Sequence, residues 1–165
     1  MDTIAITKYL KLKDNPQTSY QTIHVGGSNG KGSTSYFLSQ MLVQQGLKVG
    51  FYFSPFTMKR FDNILIQNET ILNIQEEFEI FEESMISNGL SPFEQDTAFA
   101  FLMFEKYEVE IAVIEVGLGG RDDATNVLNA SLAVITSTSL EHDDVIGPTV
   151  LDIASHQAGI IHKGM

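Results

Sequence analysis

The chain contains no cysteine, which excludes disulfide staples and thiolate metal sites and leaves oxygen or imidazole donors for any bound metal. It has no apolar run of the roughly 18 residues that a membrane-crossing helix requires. Its opening stretch, MDTIAITKYLKLKDNPQ, mixes charge and proline where a secretory signal carries an uninterrupted apolar segment. Both absences point to a cytoplasmic protein with no membrane partner. Cations are scarce: 10 Lys and Arg stand against 21 Asp and Glu, for a formal net charge of −11. A nucleic-acid binder draws most of its affinity from cations that neutralise phosphates, so DNA and RNA are discounted as partners. A small anion is compatible with this charge where backbone N–H groups, a few local cations and Mg²⁺ outweigh the long-range field. Internal repeats, low-complexity tracts and linkers are also missing, and 165 residues at 43% hydrophobic content suit one domain rather than two.

What is present is an alternation of strand and helix patterns. Residues 22–27 (TIHVGG) form a short apolar run ending in glycine, and over 33–45 Phe37, Leu38, Met41 and Leu42 recur at helical spacing until Gly46 stops the pattern. The stretch 48–55 (KVGFYFSP) predicts the next strand, and 64–72 (ILIQNETIL) predicts a hairpin about Asn68 and Glu69. Ile74, Phe78, Phe81 and Met85 share one face of a helix over 74–86, ended by Asn88 and Gly89. Ser91-Pro92-Phe93-Glu94 combines a hydroxyl cap, proline at the first helical position and Glu three residues after the cap. It predicts a helix to about Tyr107 and explains Glu94 without a functional role. Residues 110–120 (EIAVIEVGLGG) and 131–137 (SLAVITS) are continuous apolar runs, the pattern of strands buried on both faces of a parallel sheet. Thr149 with Asp152 opens a last helix by the same capping logic. The alternation predicts an α/β doubly wound domain.

The chemistry concentrates in Gly27-Ser28-Asn29-Gly30-Lys31-Gly32-Ser33-Thr34. Its glycines permit positive φ, so that successive N–H groups converge on one anion, and the following helix adds the positive end of its dipole. Lys31 would reach the terminal phosphates, and the hydroxyl of Ser33 or Thr34 a phosphate or its Mg²⁺. The spacing departs from a strict Walker A loop: Gly27 and Gly30 lie two residues too close, and Gly32 separates the lysine from the first hydroxyl. A plain glycine turn with an exposed lysine is the bland reading.

Ligands of open α/β sheets bind off the carboxyl ends of the strands. Glu115 ends an otherwise apolar strand, where a carboxylate is costly unless it is paired or metal-bound. His142, in SLEHDD, follows another strand by a few residues; a loop histidine of this kind is otherwise simply solvated. Gly117-Leu118-Gly119-Gly120-Arg121 is a second glycine loop, whose Arg121 is either a clamp for phosphate or carboxylate or a surface arginine. Asp123, Thr125 and Asn126 are turn formers that shape this loop.

Taken in order, GSNGKGST, FYFSPFTMKRF, EVGLGGRDDATN and LEHDDVIG…IASHQAGII resemble folylpolyglutamate synthase, including its bifunctional form with dihydrofolate synthase, over nearly the whole chain. That family lies among the Mur-ligase-like ATP-dependent amide ligases. The resemblance implies a P-loop ATPase domain with a mostly parallel sheet, ATP and Mg²⁺ as cofactors, and folate or dihydropteroate and glutamate as substrates. It implies that Lys31 and its loop, with Ser33, hold the β- and γ-phosphates and that Ser54, Glu115 and His142 surround Mg²⁺. Lys31 and His142 are the catalytic candidates; Phe56, Met58, Lys59, Arg60 and Phe61 follow as candidate folate contacts in a mobile loop, beside Arg121.

The departures from the family pattern are specific. Where the family has EKAGI, with a carbamylated lysine that helps to hold a second metal, this chain reads His156-Gln157-Ala158-Gly159-Ile160. Gln157 cannot carry a carbamate, and Gln157→Lys is expected to strengthen a second metal site. Ser54-Pro55-Phe56 replaces SPH, Asp62-Asn63 replaces a Glu–Arg pair, and Glu141 replaces the Asp before the metal histidine. The resemblance places residues 1–165 in the N-terminal part of the ATP-binding domain, without the remainder of that domain or a C-terminal ligase domain. Alone, the chain is expected to bind nucleotide weakly, to form no folate–glutamate bond, and to self-associate through exposed apolar surface. The alternatives are a nucleotide-binding fragment without catalysis and part of a ligase acting on a peptidoglycan precursor.

Overall fold

The computed structural model describes residues 3–140 and 146–162. Helix α1 (Ile4–Leu12) is followed by strand β1 (Gln21–Gly26), helix α2 (Lys31–Gln44) and strand β2 (Val49–Tyr52). A short hairpin, β3 (Ile64–Ile66) and β4 (Glu69–Thr70), precedes helices α3 (Ile74–Ser87) and α4 (Pro92–Lys106). Strand β5 (Ile111–Glu115), strand β6 (Leu132–Ile135) and helix α5 (Val150–Gln157) complete the described elements. The sheet runs β4-β3-β2-β5-β1-β6: β2, β5, β1 and β6 are parallel, and only β3 and β4 pair antiparallel. This is the mostly parallel α/β sheet expected from the alternation.

Alternation along the strands divides the core between two faces. Val25, Phe51 and Val113 point to the α2 side, where Leu38 and Leu42 cover them. Tyr52, Ala112 and Ile114 point to the other side, into a larger cluster with α1, α3 and α4. Helix α4 is buried almost all round, from Ala98 to Phe104, because it lies between the sheet and the outer helices. Its approach to the sheet depends on Gly50, where an added Cβ would stand 2.7 Å from the Phe104 ring. Gly50→Val is therefore expected to lower stability by about 1–3 kcal/mol through overpacking. The midpoint of chemical unfolding reads this directly; an unchanged midpoint would show that α4 can back away from the sheet.

Both predicted caps form as full capping boxes, Ser91 with Glu94 and Thr149 with Asp152. Two details differ from the sequence pattern. The hairpin turns at Gln67 and Asn68, whose φ values of 55° and 63° are the left-handed pair that a tight hairpin requires, one residue earlier than predicted. Helix α1 lay outside the sequence reading, although Ile6, Tyr9 and Leu10 follow helical spacing and are all buried against the α4 cluster. Lys8 within the stripe and Lys11 and Lys13 just after it mask it in the sequence.

Candidate nucleotide site and adjoining cavity

Strand β1 delivers the chain into the glycine loop. Gly27 and Gly30 take φ values of 129° and 86°, and a Cβ on Gly27 would collide with the Thr136 side chain. The segment after β6 straps the loop in place: the Ser28 N–H donates to the Ser137 carbonyl at 2.8 Å, and Thr136 Oγ1 and Ser137 Oγ both donate to the Asn29 carbonyl. Helix α2 starts at Lys31, two residues earlier than predicted, with Thr34 N–H closing the first turn on the Gly30 carbonyl. Lys31, Gly32, Ser33 and Thr34 thus share the first helical turn, whose N–H groups and dipole favour an anion. Lys31 Nζ curls back over the loop, donating to the carbonyls of Gly27 at 2.7 Å and Ser28 at 3.3 Å.

Glu115, last residue of β5, lies beside this turn and is only 4% exposed. Its carboxylate faces Gly32, where a Cβ would sit 3.6 Å from Oε2, and it accepts the Ser54 N–H. Burial raises its pKa, and the Ser54 N–H and the Lys31 charge offset only part of that rise. The fold therefore brings together Lys31, Ser54, Glu115 and the helix start, residues spread across 85 positions of sequence. His142 and Glu141 lie outside the described residues. Among the described residues no three His, Cys, Asp or Glu side chains cluster as a metal cage.

Ser54 also lines the neighbouring cavity of about 610 Å³. Its walls are Tyr52, Phe56, Phe93 and Leu118 on the apolar side, and Asn63, Asp96, Asp122, Asp123 and His156 on the polar side. Gly117 lets the wall close, since a Cβ there would meet the Phe93 ring at 2.5 Å. Asp123 accepts from the N–H of Leu118 at 2.8 Å and from both the N–H and the hydroxyl of Thr125. Thr125 spends its proton on Asp123, so the 2.8 Å contact of Thr125 Oγ1 with His24 requires the imidazole to donate from Nε2. Burial, and secondarily the charge of His162, lowers the His24 pKa to about 3, which keeps that ring neutral. Burial likewise raises the pKa of Asp123 despite its donors.

The candidate substrate residues divide. Phe56 reaches the cavity, but Phe61 does not: it is 1% exposed and stacks among Phe78 and Phe99 in the core. Apolar surface outweighs motif position there, because the left-handed backbone at Phe61 (φ 74°) turns the ring inward. Arg60 lies over the Phe61 and Phe78 rings and donates two hydrogen bonds to Asp96, at 2.6 and 2.9 Å. It acts on the cavity through Asp96, a carboxylate that carried no signal in the sequence. Arg121 turns away from the cavity to the Ser155 carbonyl and hydroxyl, packed against Gly159, and so fastens its loop to α5. Met58 and Lys59 sit in an exposed turn whose N–H groups, with that of Thr57, all donate to Asp62. Burial alone would raise Asp62, but these donors outweigh it and hold the carboxyl at about 2. Asp122 and His156, both in the cavity lining, pair at 3.2 Å, a second link the sequence did not reveal.

No protein-family profile matches the chain. Folylpolyglutamate synthase of Lacticaseibacillus casei is 37% identical over 169 residues, which cover 97% of this chain and 40% of that protein. A solved FPGS–AMPPCP complex superimposes with a TM-score of 0.88 at 37% identity, covering 99% of this chain and 43% of the other. A bifunctional folylpolyglutamate synthase/dihydrofolate synthase with Mn, AMPPNP and L-glutamate bound gives a TM-score of 0.91 at 30% identity, over 99% of this chain and 41% of that one. The chain thus spans about 40% of the length of the curated relative it matches. In sequence and in fold alike, the chain is a homologue of the folylpolyglutamate and dihydrofolate synthases, corresponding to their N-terminal part.

Proposed function

We propose that residues 1–165 form the N-terminal part of the ATP-binding domain of an ATP- and Mg²⁺-dependent amide ligase. Its acceptor is a folate or dihydropteroate carboxylate and its amine is glutamate. One observation carries this reading: Ser54 belongs to both places, its N–H on Glu115 beside the phosphate loop and its side in the wall of the cavity. A γ-phosphate at the loop and a carboxylate in the cavity would meet at that residue. The bound AMPPCP, AMPPNP, Mn and L-glutamate of the two structural relatives support the same assignment.

In this scheme the acceptor carboxylate attacks the γ-phosphorus, giving an acyl phosphate and ADP, and the amine of glutamate then displaces phosphate to form the amide. Such phosphoryl transfer needs alignment and charge neutralisation more than covalent help. The loop N–H groups and Lys31 would hold the β- and γ-phosphates while the α2 dipole faces the same anion. The Ser54 hydroxyl and Glu115 carboxylate suit Mg²⁺, which takes one or two carboxylates and completes its shell with phosphate oxygens and water. Mg²⁺ would supply charge neutralisation at the transferred phosphoryl group. A second metal on residue 157 does not fit, because the Gln157 amide is neutral and both its heteroatoms are already hydrogen-bonded. The aromatic wall of Phe56 and Phe93, facing Asp96 and Asp123, suits a flat heterocycle with N–H donors.

Calorimetry of dihydropteroate and folate against the chain saturated with Mg-AMPPNP tests the acceptor assignment. Asp123→Ala is expected to weaken whichever acceptor binds by about tenfold, as loss of a charge-assisted contact does. Affinity equal to that of the parent would remove the heterocycle from this cavity.

A further inference from the structure

Helix α5 meets the phosphate loop through one buried side chain. Gln157, its last residue, is 1% exposed. Gln157 Nε2 donates to Ser28 Oγ at 3.1 Å, and Gln157 Oε1 accepts from Thr138 Oγ1 at 2.7 Å. Ser28 Oγ is saturated in turn: it accepts the Ser139 N–H at 3.0 Å and donates to the Ser139 carbonyl at 3.1 Å. Three segments, the loop, the strap after β6 and the end of α5, therefore converge on one hydroxyl and one carboxamide. The preceding residue, His156, points the other way, to Asp122 and against Gly119 in the cavity wall.

We propose that Gln157 is a positioning residue for the phosphate loop, holding Ser28 from behind so that the loop keeps its course and the N–H groups at the start of α2 stay aimed at the anion. The role rests on the nucleotide reading of the loop. It is one that a neutral carboxamide fills well, since it donates and accepts at once in a site where an unpaired charge would be costly. An orphaned amide or hydroxyl here would loosen the loop at its first corner, next to Gly27 with its positive φ of 129°. Because His156 and Gln157 are consecutive, the same helix end joins the loop to the cavity wall.

The test compares the parent with Gln157→Leu, Ser28→Ala, Thr138→Val and the double variant Gln157→Leu/Ser28→Ala. Amide hydrogen exchange of residues 28–30 and calorimetric affinity for Mg-AMPPNP are the two readouts. Gln157→Leu and Ser28→Ala are each expected to speed loop exchange while leaving β1 protected, and to weaken Mg-AMPPNP about threefold to fivefold. The double variant is expected to lose no more than the worse single one, because both changes remove the same contact. Unchanged loop exchange and affinity in Ser28→Ala, or fully additive losses in the double variant, would overturn the proposal. Should Gln157→Leu fail to fold, Ser28→Ala and Thr138→Val decide, since they cut the same network without touching α5. A parent chain that binds no Mg-AMPPNP sinks the nucleotide reading, and loop exchange alone then decides whether Gln157 holds the loop.

Discussion

Lys31→Ala is expected to weaken Mg-ATP binding by roughly tenfold or more, with the fold intact. The ammonium is held over the loop by two backbone carbonyls, and among the described residues it forms no ion pair. Its charge is thus placed beside the Glu115 carboxylate without being tied up in an ion pair, which is the arrangement an incoming phosphate needs. In a chain with a formal charge of −11, removing a cation from the anion site leaves the loop N–H groups to oppose the whole field. Calorimetric titration of parent and variant with Mg-ATP measures the difference, and equal affinities would return the loop to a plain glycine turn. Lys31→Arg retains the charge but not the compact donor geometry, and is expected to recover part of the loss.

Glu115→Gln is expected to raise the melting temperature of the free chain while abolishing the Mg²⁺ dependence of nucleotide binding. The sign follows from the raised pKa. A carboxyl whose folded pKa exceeds its unfolded value stabilises the fold most when protonated, and that contribution is lost as pH rises from the unfolded pKa through the folded one. Near neutrality the buried carboxylate is therefore a net cost, which a neutral isostere removes; melting is expected to rise by a few degrees at pH 7 and by less at pH 4. A bound divalent ion relieves the same cost, so Mg²⁺ with nucleotide is expected to stabilise the parent more than the variant. Thermal melts at both pH values, with and without Mg-AMPPNP, read all three differences. A variant that melts lower at pH 7 and still responds to Mg²⁺ would make Glu115 a structural hydrogen-bond acceptor and nothing more.

The glycine loop, the following helix, both capping boxes and the buried parallel strands were legible in the sequence because each depends on residues within a few positions of one another. A hydroxyl and a carboxylate three apart satisfy each other's backbone whatever surrounds them, and continuous apolar runs such as 111–114 admit few alternatives to a central strand. Glu115 stood out for the same reason, as a charge at the end of an apolar strand.

Other roles were decided only by tertiary structure. Arg60 and Asp96 are 36 residues apart, and Ser28 and Gln157 are 129 apart. Neither partner shows its role without the other, since the free energy of a polar group depends on what it meets once water is removed. Phe61 and Arg121 show the converse: motif position offered them to a ligand, but local backbone and packing committed one to the core and the other to Ser155. Local sequence established where a glycine loop runs into a helix start and which segments build the sheet, because backbone conformation and apolar periodicity are local. Only the folded chain decided which carboxylates face the cavity and what holds the loop, because those depend on which distant side chains exclude water together.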